Sequence, residues 1–226
     1  LFIAISKKLV TEMNDAVGYI SGVEDGYVLL TVPVRNTYFI EKQNITQADV
    51  RFDDGRRIRP EQRKKAYAII GEIAEWSGHT PPELMKDILK NDFLVYSGGE
   101  YFSLSDCTVT TAREFINFLI DFCFFHNIPT RDTMLNHTDD ISHYLYACLA
   151  YRKCCICNEK AEIHHCEGSK VGMGFNRNKI ENIGRNAIAL CRKHHNQAHG
   201  DEKGFFEKFH VYGIKLDKYL VKRLGL

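Results

Sequence analysis

Nothing in these 226 residues reads as a membrane span. The most apolar run, FINFLIDFCFF at residues 115–125, is interrupted by Asn117 and Asp121 and falls well short of the roughly 20 residues a helix needs to cross a bilayer. The opening residues lack the basic start, apolar core and small-residue cleavage site of a secretory leader. The first residue is Leu1 rather than methionine, which leaves room for residues ahead of it. Internal repeats and low-complexity tracts are missing, and no long stretch has the composition of a disordered chain. A formal net charge of +1 is too small to point to any partner.

The distribution of charge says more than its sum. Residues 151–226 hold fifteen Lys/Arg against eight Asp/Glu, while residues 1–150 carry an acidic excess of six. Such asymmetry points the C-terminal part toward nucleic acid or another polyanion. The eight cysteines would suggest disulfides in a secreted chain. Without a leader, a C-x-x-C pair beside histidines reads better as a metal site.

Coarse periodicity predicts an α+β chain. Residues 1–57 read as β-rich: AVGYISGVEDGYVLLTVPV holds two β-branched and aromatic runs around the turn signal EDG, and DVRFDDGRRIRP repeats the pattern about Asp54-Gly55. From Pro60 the period changes. Ala66, Ile69, Ile70, Ile73 and Trp76 recur at helical spacing, and Gly78 stops the run. A second helix is expected from TPPELMKDILKNDF with Thr80 as N-cap, a third over DCTVTTAREFINFLIDFCFFHNIP, and a fourth from about Asp139 to Tyr151. The polar stretch RDTMLNHTDD is the expected boundary, giving regions 1–57, 58–136 and 137–226.

The last region carries the chemistry. In YRKCCICNEKAEIHHC, Cys154 and Cys157 have the spacing of a knuckle, whose tight turn lets two thiolates share one tetrahedral ion. A lone C-x-x-C also fits a redox pair, but Cys191-x-x-His194 supplies the matching second half of a closed Cys₃His site. Cys155 and Cys166 are spare by spacing, and Cys107, Cys123 and Cys148 fall in apolar helical patterns expected in the core. His195 and His199 share one helical face. His164 and His165 are adjacent on a probable strand and point to opposite faces, so one can ligate while the other faces a substrate. His164, His195 and His199 are therefore expected on a second metal with open coordination positions, the mark of a catalytic rather than a structural site.

On these residues, the segment from Cys154 to His199 resembles the HNH (ββα-metal) endonucleases with a zinc-knuckle treble-clef frame. The resemblance implies that His165 is the general base, His164 a metal ligand, Asn186 in NAIALC the motif asparagine (with Asn182 as the second candidate), and His195 and His199 further metal ligands. His194 stands where many zinc-bearing members have cysteine. The loop EGSKVGMGFNRNK supplies Lys170, Arg177 and Lys179 as phosphate contacts, with Arg185 beside them. The GMG.NR run is similar to phage-encoded HNH nucleases associated with Redβ-type annealing proteins. Residues of about 50 to 130 resemble, more faintly, the Orf recombination mediators of lambdoid phages.

The resemblance implies a structural Zn²⁺, a catalytic Mn²⁺ or Mg²⁺ (Ni²⁺ or Zn²⁺ as isolated), a DNA substrate cut to 5′-phosphate and 3′-hydroxyl ends, and action in phage recombination within the bacterial cytoplasm. The contrasting expectation is a non-catalytic, zinc-stabilised DNA-binding mediator that contacts a single-strand-binding or annealing protein. The basic run RRIRPEQRKK supports that alternative, with seven Lys/Arg within residues 51–65.

Overall fold

The computed structural model describes residues 18–32, 37, 40, 41, 50, 52, 55–78, 80–168 and 182–226. The chain divides into two compact units, residues 1–54 and 55–226. In the first, β1 (Tyr19–Glu24) and β2 (Tyr27–Thr31) form an antiparallel hairpin. Its turn is Asp25-Gly26, with φ of 43° and 85°. Both angles are positive, as the tight turn that matches strand twist requires, and the second falls to glycine. The EDG signal is thus a real turn. The second expected hairpin differs. Asp54 and most of its upstream arm lie outside the described residues, and the downstream arm pairs elsewhere. Arg57 bridges antiparallel to Thr108, and Ile58 N–H donates to Cys107 O at 2.8 Å. Ile58 is buried there, so apolar burial rather than local turn chemistry decides its partner.

The second unit is α+β. Helix α1 (Pro60–Trp76) buries Ala66, Ile69, Ile70, Ile73 and Ala74, one stripe at i, i+3, i+4, i+7 and i+8. Helix α2 (Pro82–Ser97) starts from Pro81, not Thr80. A residue before proline is pushed to extended ψ, and Pro81 at ψ 130° takes that place. The Thr80 hydroxyl instead bonds Ser77 Oγ at 2.9 Å. Helix α3 (Val109–Phe125) is capped by Thr108, whose Oγ1 accepts from Thr111 N–H at 3.0 Å. Phe93 of α2 meets Phe115 of α3 edge-on at 5.4 Å, with Phe102 and Phe118 closing the cluster. Aromatic burial of this kind dominates core energetics.

Helix α4 (Ile141–Tyr151) is buried along almost its whole length and joins the helical part to the cysteine–histidine part. On one side, His143 Nε2 bonds the buried Asp121 of α3 at 3.0 Å. On the other side come β3 (Glu162–His165), β4 (Asn186–Leu190) and β5 (Ile214–Lys215), a three-stranded antiparallel sheet in the order β3-β4-β5. Helices α5 (Arg192–Gly200), α6 (Glu202–Phe209) and α7 (Lys218–Leu224) complete the unit. Among the described residues no helix is long and apolar enough to cross a membrane.

The stretch RDTMLNHTDD runs inside this second unit. Met134 is buried, and its N–H donates to Asn158 Oδ1 at 2.6 Å. Asp139 accepts from Lys65 at 2.6 Å. Much of the basic run is likewise tied down. Arg57 Nη1 donates to Asp106 O, and Arg63 donates to Leu104 O and Ser105 O. These cations bond backbone carbonyls of the segment that leads into Thr108.

Asn158 is the junction residue. It sits at φ 58°, and its Nδ2 donates to Tyr144 Oη at 2.9 Å and to Cys154 O at 3.3 Å. Asn158→Ala would strand Met134 N–H, would take from the Tyr144 hydroxyl the bond it accepts while leaving the one it donates to Cys155 O, and would force alanine into the left-handed region. We expect a loss of about 2–4 kcal/mol, read as a lower urea midpoint at unchanged slope. A loss under about 0.5 kcal/mol, the range of a neutral surface change, would contradict the junction role.

Candidate metal centre

The knuckle forms where α4 ends. Arg152 closes the helix in the left-handed conformation at φ 52°, and Lys153 bridges Lys160. Within that loop Cys154 N–H donates to Glu159 O at 2.7 Å, and Asn158 N–H to Cys154 O at 2.8 Å. Cys155 N–H reaches Ala189 O on β4 at 3.0 Å, which ties the knuckle to the sheet. Helix α5 then starts from Cys191 as its N-cap, at extended ψ 164°. One turn in, His194 faces back toward the knuckle.

Four donors converge there. The Nδ1 of His194 lies 3.3 Å from Cys154 Sγ, 3.6 Å from Cys157 Sγ and 3.2 Å from Cys191 Sγ, and Cys157 and Cys191 sulfurs are 3.7 Å apart. A tetrahedral zinc with ordinary bond lengths needs edges of about 3.8 Å between sulfurs and about 3.6 Å from sulfur to nitrogen. The fit is close, and these four residues can hold one metal ion such as zinc. Burial pushes the Cys157 thiol up to about 12. Cys191 moves the other way. Burial opposes its ionisation, but the His194 amide, the Cys157 and Cys154 thiols and the Lys193 amide together hold it below its ordinary value. A thiol at a helix N-terminus is where a thiolate is favoured. Burial and the neighbouring Lys193 charge keep His194 below its ordinary value, in the neutral form that ligates.

Cys155 and Cys166 stand outside this cluster, as their spacing indicated, and both are buried. Cys107, Cys123 and Cys148 are buried too, and burial raises all three thiols. They are core residues.

The second cluster uses the next face of α5. His195 and His199 stack at 4.7 Å between ring centroids, and His164 meets each of them edge-on at 4.9 Å. One donor atom from each lies within 4.8 Å of the others. Strand β3 brings His164 there through its register with β4, where His164 pairs with Ile188 and His165 with Ala187. Two carboxylates that the sequence reading did not pick out flank the cluster. Glu162 Oε2 bonds His195 Nδ1 at 3.0 Å and Glu202 Oε2 bonds His164 Nε2 at 3.1 Å. Glu162 had a signal, since two residues before His164 on a strand is the same face.

The donor chemistry fits a cation. His164 is buried at 1 % exposure, and its Nδ1 has no hydrogen-bond partner. A buried nitrogen left without a partner costs about 1–3 kcal/mol, and a metal ion is a partner that removes the cost. Burial, the largest influence, holds His164 below its ordinary value, so its lone pair is free at neutral pH.

His165 occupies the other side of β3. Burial and then the Arg185 charge lower its ordinary value, which leaves a neutral imidazole with an unpartnered Nδ1. Asn186 opens β4, and its carbonyl accepts from Cys166 N–H at 3.0 Å. Asn182 is the more buried of the two asparagines. Lys170, Arg177 and Lys179 lie outside the described residues. Arg185 is half-buried beside His165.

The site thus consists of a knuckle, an antiparallel strand pair and a helix, with one group of four Cys/His donors and one of three histidines. The family model described as "Putative HNHc nuclease" matches residues 31–226, and the chain belongs to that family. No curated protein and no solved structure matches it significantly.

A set of three thiolates and an imidazole is expected to hold metal more tightly than a set of three imidazoles. Brief dialysis against EDTA is expected to leave one zinc per chain and to strip a second, weaker ion. Metal analysis with circular dichroism checks this. Loss of all metal with the fold intact would contradict the structural site.

Proposed function

We propose that the chain is a metal-dependent DNA endonuclease, hydrolysing phosphodiester bonds to 5′-phosphate and 3′-hydroxyl ends, with a role in phage DNA recombination or processing in the bacterial cytoplasm. The observation that carries the reading is the pair of adjacent histidines on β3. One is buried among two further histidines, and the other is neutral on the opposite side beside Arg185. A module that only binds needs the knuckle but not this pair.

His165 acts as the general base, taking a proton from the water that attacks phosphorus in line. Arg185 serves twice. Its charge adds to burial in keeping His165 unprotonated, and its guanidinium would contact a phosphate of the substrate. Asn186 holds the segment just after His165, where its own backbone already bonds Cys166. A divalent ion held by His164, His195 and His199 would stabilise charge on the phosphate and the leaving oxygen. Mn²⁺ or Mg²⁺ is the working ion, and an all-imidazole set also accepts Ni²⁺ or Zn²⁺ in preparations. The Cys154, Cys157, Cys191 and His194 set takes the structural zinc. Lys170, Arg177 and Lys179 add phosphate contacts.

The rival mediator reading, with an annealing or single-strand-binding protein as partner, leaned on the basic run near residue 60. Arg57, Arg63 and Lys65 of that run are engaged within the fold, which weakens it. In this reading the nuclease would act alongside such a phage protein.

His165→Ala is expected to abolish cleavage of supercoiled DNA, with metal content, melting and DNA affinity close to the parent. Loss of a general base costs on the order of 10² to 10⁴ in rate. His199→Ala should instead weaken the labile metal and recover in part at high Mn²⁺. A His165→Ala protein that cuts like the parent would overturn the assignment, and a parent that cuts nothing with any divalent ion would favour the mediator.

The pH profile offers a second check. A base with a lowered pKa stays active into mildly acidic solution, so the acidic limb of kcat/KM should fall below about 6.5, the ordinary histidine value. Arg185→Gln removes the charge that helps lower it and should move the limb upward. A limb above neutrality in the parent would contradict this role for His165.

A further inference from the structure

Two carboxylates stand outside the three-histidine cluster, yet each holds one of its members. Neither Glu162 nor Glu202 belongs to the set of mutually close donor atoms, so both act one layer out. They differ in enclosure. The Glu162 side chain is 43 % exposed and shares its charge with Arg192 at 2.6 Å. The Glu202 side chain is 11 % exposed, and the His164 side chain it bonds is fully enclosed. Both Glu202 oxygens are committed, since Oε1 accepts from Glu167 N–H at 2.7 Å while Oε2 accepts from His164. A carboxylate held at both ends has one orientation.

An ionised carboxylate accepts hydrogen bonds and donates none, so the nitrogen facing it must carry the proton. A neutral imidazole has one N–H and one lone pair. With the proton on Nε2, the lone pair of His164 is on Nδ1, the buried nitrogen that has no other partner.

We propose that Glu202 is a positioning residue that fixes His164 in its Nε2–H tautomer, presents Nδ1 to the divalent ion, and ties that ring to the chain leaving β3 through Glu167. The inference rests on the three-histidine metal reading above. Outer partners of this kind orient the ligand ring and raise its basicity. Glu162 does the same for His195, less strongly because water reaches it.

The substitution that best exposes the role is Glu202→Gln. Its carbonyl can keep the Glu167 N–H, and its amide NH₂ then faces His164 Nε2 as a donor. The imidazole proton is driven to Nδ1, the nitrogen the ion needs. Glu202→Asp keeps the charge on a shorter arm, and Glu202→Ala removes both bonds.

Calorimetric titration of Mn²⁺ into the full chain with its structural zinc in place reads affinity. Nitrogen-15 spectra of the histidines read the tautomer without any added ion. We expect Glu202→Gln to bind Mn²⁺ roughly 10- to 100-fold more weakly, with the His164 proton moved to Nδ1, and Glu202→Asp to recover part of the loss. Zinc content and melting should match the parent in at least one of the three variants. Parent-like Mn²⁺ affinity and an unchanged Nε2–H signal in both Glu202→Gln and Glu202→Ala would overturn the role of Glu202. A parent that takes up no Mn²⁺ would overturn the three-histidine site itself, and this inference with it.

Discussion

Helix α5 carries members of two clusters of metal-ligating side chains at once, and the rest of the C-terminal part is arranged around that constraint. Cys191 caps it, His194 turns toward the knuckle, and His195 and His199 turn toward β3. Successive helical residues are rotated by about 100°, so neighbouring histidines cannot serve the same ion, while residues four apart can. A nine-residue helix is marginal on its own. Its first turn holds two of the four Cys₃His donors, Cys191 and His194, with His195 N–H bonded to Cys191 O at 2.8 Å. The same short helix therefore sets the positions of donors in both clusters.

The sheet supplies the other half. The β3-β4 register puts His164 against α5 and His165 on the opposite side, and a slip of one residue would exchange them. Cys155 N–H on Ala189 O holds the knuckle to β4, and Asn186, at the start of the same strand, holds Cys166. Gly213 has its own part in this. A Cβ there would lie 2.4 Å from Cys166 Sγ and 3.2 Å from Asn186 Cβ, so only glycine lets the chain before β5 approach so closely. The helical part meets this assembly through α4, with His143 on Asp121 at one side and Tyr144 on Cys155 O at the other.

Much of this was legible in the sequence, for identifiable reasons. Helix α1 was readable because its buried stripe follows the 3.6-residue period without interruption. The Cys₃His set was readable because two knuckle spacings answer each other across 34 residues. The α+β class and the EDG turn followed from alternation and turn chemistry. Other features depend on contacts far apart in the chain. Arg57 reads as free positive charge until Asp106 O is placed beside it. Thr80 looks like a cap because its type is favoured there, but two following prolines decide the start of α2. Glu202 carries no local signal of its bond to His164, which spans 38 residues.

The account stands on two distinct metal positions served by one helix. The most direct measurement is an anomalous difference map from crystals of the full chain soaked in Mn²⁺, recorded on both sides of the zinc edge. It should show zinc among Cys154, Cys157, Cys191 and His194, and manganese among His164, His195 and His199 with coordination positions open to solvent. A map with manganese elsewhere, or with the three histidines turned away from a common centre, would contradict it.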